Sequence, residues 1–436
     1  DRYLGMRKAV IFGGILLVLG HLGMAFEGEQ ARLVAGQVVQ DTQALQVFYA
    51  SLALIVIGVG FLKPNISTIV GQLYSKDDPR RDAGFTIFYM GINLGSFTAT
   101  LLCGYLGETY GWRYGFGAAG IGMLLGLVTF IRGQKYLRGL AEPPSNEQLK
   151  EIVFAGLSRE RLIYAAALVG VAVVWQMLQF HGAVGILLNS LSLAVLAGLI
   201  WFITTQCDSD ERSRMVVLIV LTLFSVVFWA LFEQSAASMT LYADRVMDRE
   251  LLGVELTASQ FGAMNAFFIF LFAPVFAFVW VFLGRRGLEP STPVKFALGI
   301  MQAGLGFGAL VIGASMPDET GRVAAIWMVL AYLLHTTGEL CLSPVGLSAV
   351  TKLAVHRVVG VMMGAWFLAT AYSEFVAVQL SKLAAIDTHE GEVLDIDAAL
   401  ASYTDLFEFL LMIGLSAGLL LLVISPLLRK GMRGIQ

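Results

Sequence analysis

Charge is what this 436-residue chain has little of: 14% of its residues are Asp, Glu, Lys or Arg, against about 25% in soluble domains. Apolar residues make up 57%, and apolar runs of about 20 residues recur from end to end. That excludes a soluble globular domain and specifies an all-α polytopic membrane protein, with the lipid bilayer as its solvent. Cysteine is scarce as well. Cys103, Cys207 and Cys341 sit in or at the ends of apolar runs without metal-ligand spacing, so neither a disulfide framework nor a metal centre is read. Rossmann, P-loop, zinc and triad motifs are missing. Without a nucleophile–base or metal constellation the chain is not read as an enzyme. Nothing calls for a cofactor or a nucleic-acid partner. The formal charge of −3 decides little, because in a membrane protein placement outweighs the sum.

Twelve membrane segments are read, at about 8–26, 47–73, 83–107, 112–134, 160–178, 184–205, 213–242, 257–283, 293–315, 322–352, 357–385 and 402–428. The loops fix their direction. One side holds 22 of the 29 Lys and Arg residues, from Arg2, Arg7 and Lys8 through Lys76, Arg80, Arg81 and Arg138 to Arg429, Lys430 and Arg433. The other side holds only Arg32, Arg113, Arg245, Arg249, Arg322 and Lys382, and is acidic around Asp387, Glu390, Glu392, Asp395 and Asp397. By the positive-inside rule the first side is cytoplasmic, with the start and the C-terminus of the chain on it. A segment count wrong by one would scramble this alternation.

The remaining cation, Lys63, lies inside the run that begins at Val47. A lysine at that depth costs roughly 2.5–3.5 kcal/mol on insertion scales, and it normally faces an interior or a wet cavity. Pro64 follows it, and a local kink is expected. The polar stretch from Gly139 to Gln148 reads as a linker. After it, two spans without charged residues in their interiors are joined by the short turn around His181. They read as a peripheral hairpin. The chain opens on Asp1-Arg2-Tyr3-Leu4-Gly5-Met6-Arg7-Lys8, which reads as a loop between helices, so two further helices are expected upstream.

Several spans carry polar groups that need a reason. Gly91 and Gly95 make a small-xxx-small face for close helix packing, with Asn93 between them. Glu233 ends the run Phe228-Trp229-Ala230-Leu231-Phe232, one turn after Trp229. Glu339 lies in Gly338-Glu339-Leu340-Cys341-Leu342-Ser343-Pro344, where Pro344 is expected to break the helix. Carboxylates at these depths must be paired or protonated. Asn265 and Glu374 also lie within spans. His335 reads as a packed residue and is given no role, and no role is read for Glu374.

These stretches together resemble the proton-dependent oligopeptide transporter family of the major facilitator superfamily. The resemblance rests on Gly60-Phe61-Leu62-Lys63-Pro64-Asn65, on the third-span run from Phe85 to Phe97, on Phe228–Gln234, on Gly338–Leu347 and on Met362-Met363-Gly364-Ala365-Trp366-Phe367. The opening Asp-Arg loop is similar to the superfamily signature between its second and third helices. The resemblance implies six plus six helices with an inserted hairpin. Residues 1–138 would be the rest of an N-terminal bundle, 139–211 the linker and hairpin, and 212–436 the C-terminal bundle. It implies a monomeric, proton-coupled symporter of di- and tripeptides in a bacterial inner membrane, working by alternating access. Lys63, Asn93, Trp229, Asn265, Glu339 and Trp366 would bind substrate. Glu233 and Lys63 would couple the proton. Lys63 suits the peptide carboxylate and Glu339 its ammonium, a substrate bridging the bundles. The family's first-helix motif, the expected partner of Lys63, is not in this chain, so Lys63 is expected to be an unpaired buried cation and the chain as it stands not to transport. The alternatives are a member carrying another solute such as nitrate, or a non-transporting nutrient receptor.

Overall fold

A computed structural model describes residues 3–29, 31–34, 37–74, 81–137, 139–154, 156–384, 388–389, 392–393 and 395–434. Asp1, Arg2, Lys76, Arg80, Arg138, Asp387 and Glu390 lie outside them, as do the side chains of Arg81, Phe85, Thr86, His181 and Glu392. The described residues form fourteen α-helices. They are α1 (Met6–Met24), α2 (Thr42–Gln72), α3 (Arg81–Tyr110), α4 (Trp112–Gly133), α5 (Asn146–Lys150), α6 (Arg159–Gln179), α7 (His181–Gln206), α8 (Ser209–Phe232), α9 (Ser238–Arg245), α10 (Ala263–Arg285), α11 (Thr292–Ala314), α12 (Ile326–Leu353), α13 (Val359–Ser381) and α14 (Ile396–Gly431). Twelve helical stretches are long and apolar enough to cross a membrane, and α8 and α9 together make one of them. The remaining strands are two or three residues long and sit in loops.

Helix starts are written locally. Asp41 caps α2 by accepting from the Ala44 N–H, and Asp395 does the same for α14 at Ala398. Asp208 and Glu211 form a reciprocal capping box on α8. The stops are less obvious. Pro64 and Pro344 both lie inside helices that continue past them, so the break expected at Pro344 does not occur. The seventh span instead leaves the α-helix at Glu233–Ala236, a single 3₁₀ turn with neither Pro nor Gly in it.

The chain falls into two compact units, residues 1–184 and 185–436. In the first, α1 and α2 meet backbone to backbone. A Cβ on Gly13 would stand 2.7 Å from the Gly58 carbonyl oxygen, and one on Gly58 2.9 Å from that of Gly13. The unit's buried clusters are small, for example Val10, Ile69 and Ala141. Helix α6 is fastened to it by Lys8–Glu160 at 2.6 Å, by Gln46 donating to Gln179 at 2.9 Å, and by Tyr164 against Phe12. The second unit has one large core that takes in Phe228, Phe296, Phe307, Tyr403 and Phe407. Leu199 and Ile203 of α7 belong to that core, and Gly185 of α7 lies against Phe375. Each helix of the hairpin is thus packed against a different unit, α6 against the first and α7 against the second.

Candidate functional site

In the first unit the side that α2 turns to α1 is set by Gly58, Phe61 and Leu62, which meet Gly13. Lys63 falls on another face, with Gly60, Pro64 and Ser67, all exposed. The expected buried, unpaired cation is thus corrected: within its unit Lys63 is exposed, because the packing face of α2 is the other one. The Ser67 hydroxyl donates to the Lys63 carbonyl at 3.2 Å, a bond within the helix. Asn93 is buried at 8% exposure. Its amide donates to the Tyr89 carbonyl one turn back at 3.0 Å. A Cβ on Gly91 or Gly95 would meet nothing within 4 Å, so the close helix packing expected there is not found.

The second unit gathers more. Asn265 of α10 donates to Glu339 Oε2 of α12 at 3.0 Å and to the Thr336 hydroxyl at 3.2 Å. Glu339 is placed by the glycine before it. A Cβ on Gly338 would stand 2.7 Å from the Gly299 carbonyl oxygen, and the reverse approach is 2.8 Å, so only glycine lets α11 and α12 come this close. Glu233, at the break after α8, lies within electrostatic reach of Glu374 and Glu339. These carboxylates do not cluster tightly: among the described residues no three His, Cys, Asp or Glu side chains could hold a metal ion. Trp229 packs edge-on to Phe228 and Phe232, and its buried indole N–H finds no acceptor. Trp366 is 4% exposed, set against Phe296 and in the space that glycine leaves at position 346. It belongs to the unit's packed core. His335 is fully buried between Phe307 and Gly306, bonded through Nε2 to the Ala303 carbonyl at 3.0 Å. A carbonyl only accepts, so that nitrogen carries the proton.

Of the residues singled out from sequence, the structure brings Asn265, Glu339 and Glu233 into one neighbourhood of the second unit. Lys63 and Asn93 belong to the first. Glu374 joins the carboxylates, although no role was read for it. The signal was there: a carboxylate eight residues after Trp366 on the same apolar helix.

The family whose pattern matches residues 7–394 is described as the POT family. An uncharacterized transporter YclF of Bacillus subtilis (strain 168) is 38% identical over 440 residues, covering 100% of this chain and 82% of that protein. A di-/tripeptide transporter of Lactococcus lactis subsp. lactis (strain IL1403) is 33% identical, covering 98% of this chain and 82% of that one. Among solved structures, a mutant of peptide transporter POT in complex with alafosfalin aligns with a TM-score of 0.80 at 37% identity, covering 100% of this chain and 82% of the other. The fold is thus of the major facilitator type.

Proposed function

The chain belongs to the POT family, and on that premise we propose that it is a proton-coupled symporter of di- and tripeptides that works by alternating access. The observation that carries the substrate class is the Asn265–Glu339 pair. One oxygen of the carboxylate is held by the amide, and a carboxylate at this depth asks for a cation. A peptide ammonium supplies it, whereas nitrate would be repelled. A peptide's invariant groups are its two ends, and promiscuity follows if only those ends are clamped. Lys63 takes the carboxylate end and Glu339 the ammonium. Glu233 carries the proton, and Trp229, Asn93 and Trp366 shape the space. The names of the relatives, a di-/tripeptide transporter and a peptide transporter, support this reading. The protein lies in the bacterial inner membrane with the basic loops cytoplasmic.

The test separates Glu233 from Glu339. Reconstituted Glu233→Gln should still exchange peptide across a membrane without a gradient and fail to concentrate it under a pH gradient. Glu339→Gln should lose affinity in both assays. Peptides with a blocked amino terminus should bind wild type poorly and lose little further affinity for Glu339→Gln. Identical behaviour of the two variants in both assays would sink the assignment.

A further inference from the structure

The seventh span changes from α to 3₁₀ at Glu233 with no residue there that forces it. What holds the break is the next side chain. Gln234 is 0% exposed. Its Oε1 accepts from the Ser238 hydroxyl at 2.6 Å and from the Ser381 hydroxyl at 2.8 Å. Its Nε2 donates to the Ala377 carbonyl at 2.9 Å and to that of Ala230 at 3.4 Å. Both lone pairs and both N–H groups of the amide are used, which fixes its orientation completely. The turn is tied down on a second side. The Ser235 carbonyl accepts from the Thr240 hydroxyl at 2.8 Å and from the Tyr332 hydroxyl at 3.3 Å.

We propose that Gln234 is a positioning residue for Glu233: a buried amide latch that fixes the break against α13 and so sets where the Glu233 carboxylate stands. This rests on the reading of Glu233 as the proton carrier. The latch reaches α13 through Ala377 and Ser381, and the same turn reaches α12 through Tyr332. Those two helices carry carboxylates within the unit's spans, Glu374 on α13 and Glu339 on α12. His335 of α12 stands off behind Phe232, ring centroids 6.3 Å apart. Charge–charge energies in a poorly screened interior change steeply with separation. A latch that fixes these spacings therefore governs the proton equilibrium of Glu233. A residue that merely filled the core would need none of these four bonds, since a buried amide is costly unless all are made.

The experiment reads the Glu233 carboxyl directly, by infrared difference titration of the protein in liposomes, with Glu233→Gln identifying the band. Proton-driven uptake against pH and gradient-free exchange are measured alongside. Ser238→Ala and Ser381→Ala each remove one donor to the latch, and Gln234→Leu removes it whole. The titration midpoint and the pH of half-maximal uptake should move together, by about one pH unit in Gln234→Leu, a differential interaction of about 1.4 kcal/mol. Each serine variant should move them the same way by less, and exchange should stay within about twofold of wild type. Unmoved midpoints in the serine variants overturn the proposal, and so does a fall in exchange with the midpoint unmoved. If Gln234→Leu does not fold, the serine variants decide alone. If wild type carries no peptide, the proposed function fails, while the titration still decides whether the latch sets the proton equilibrium.

Discussion

The two units place their depth-level charged groups differently. The first keeps its depth-placed charge, Lys63, on an exposed face and builds its contacts from small residues and from ion pairs at the helix ends, such as Arg7–Glu142 and Lys8–Glu160. The second keeps Asn265, Glu339, Gln234 and His335 among its packed helices, each with a named hydrogen-bond partner. A cation displayed at a surface needs no scaffold to hold it. Carboxylates at depth do, because an unpartnered buried polar group costs several kcal/mol in apolar surroundings. The large core and the amide latch of the second unit are that scaffold. The depth-placed cation lies on one unit and the carboxylates on the other.

The largest expected effect comes from removing what each unit shares with the hairpin. Deleting residues 155–207 with a short bridge takes α6 from α1 and α2 and takes Leu199 and Ile203 from the second core. No monodisperse protein should elute in detergent. A folded deletion variant would show that the cores close without these helices. Next in size is Lys63→Ala. Lys63 is exposed, so the variant should fold and elute as wild type does while losing uptake under a pH gradient. Wild-type rates would remove Lys63 from the mechanism. In the second unit Asn265→Ala should fold too, and it should lower peptide affinity on the order of tenfold, the worth of one hydrogen bond to a charged group. Unchanged affinity would separate the amide from the site.

The spans and the basic-side bias were legible because each depends on composition over one window. Lys63, Glu233 and Glu339 stood out as charges inside apolar runs, which is a one-dimensional signal. What was not legible depends on which face a residue takes. Pro344 advertised a break where the helix continues, while the break at Glu233 is bonded, through Gln234, to Ser381 about 150 residues away. Gly91 and Gly95 match a packing motif and face open space. Gly58 and Gly338, which match no motif as clear, make the close approaches. The hairpin looked separable because its spans lack interior charge, yet α7 is joined to its unit by apolar packing and by Arg212 and Arg357, which donate to the Ile203, Thr204 and Gln206 carbonyls near its end.

The glycine contacts test whether both units depend on close approach to the same degree. Gly58→Ala and Gly338→Ala each drive a methyl group into a backbone carbonyl, and backbone cannot step aside as a side chain can. Each should destabilise by about 1–3 kcal/mol, the usual cost of overpacking, read as a lower melting temperature in detergent. Gly338→Ala should in addition weaken peptide binding, because it moves Glu339, whereas Gly91→Ala should change neither. Destabilisation by Gly91→Ala equal to that of the other two would restore the packing role that its surroundings here deny it.

The smallest effect compares two loop carboxylates, one in each unit. The Asp318 carboxyl lies below its ordinary value of 3.8 because the Thr320 hydroxyl and the Arg322 N–H bond to it, and Arg322 adds its charge. Asp41 lies below the same value because the Ala44 N–H bonds to it, with weaker help from Glu29 and Gln43. A carboxyl that is more acidic in the folded state gives up stability only when it is protonated. The contribution is therefore complete above about pH 4 and fades as the pH falls through the folded value. Both groups are solvent-exposed, so the effects are small. Three bonds of 2.7–2.9 Å converge on one oxygen of Asp318, against one of 3.0 Å and one of 3.4 Å shared between the two oxygens of Asp41. Asp318→Asn should therefore flatten the acid limb of a melting-temperature profile between about pH 5 and 2 more than Asp41→Asn does. The reverse order would mean that capping α2 matters more to its unit than the turn before α12 matters to the other.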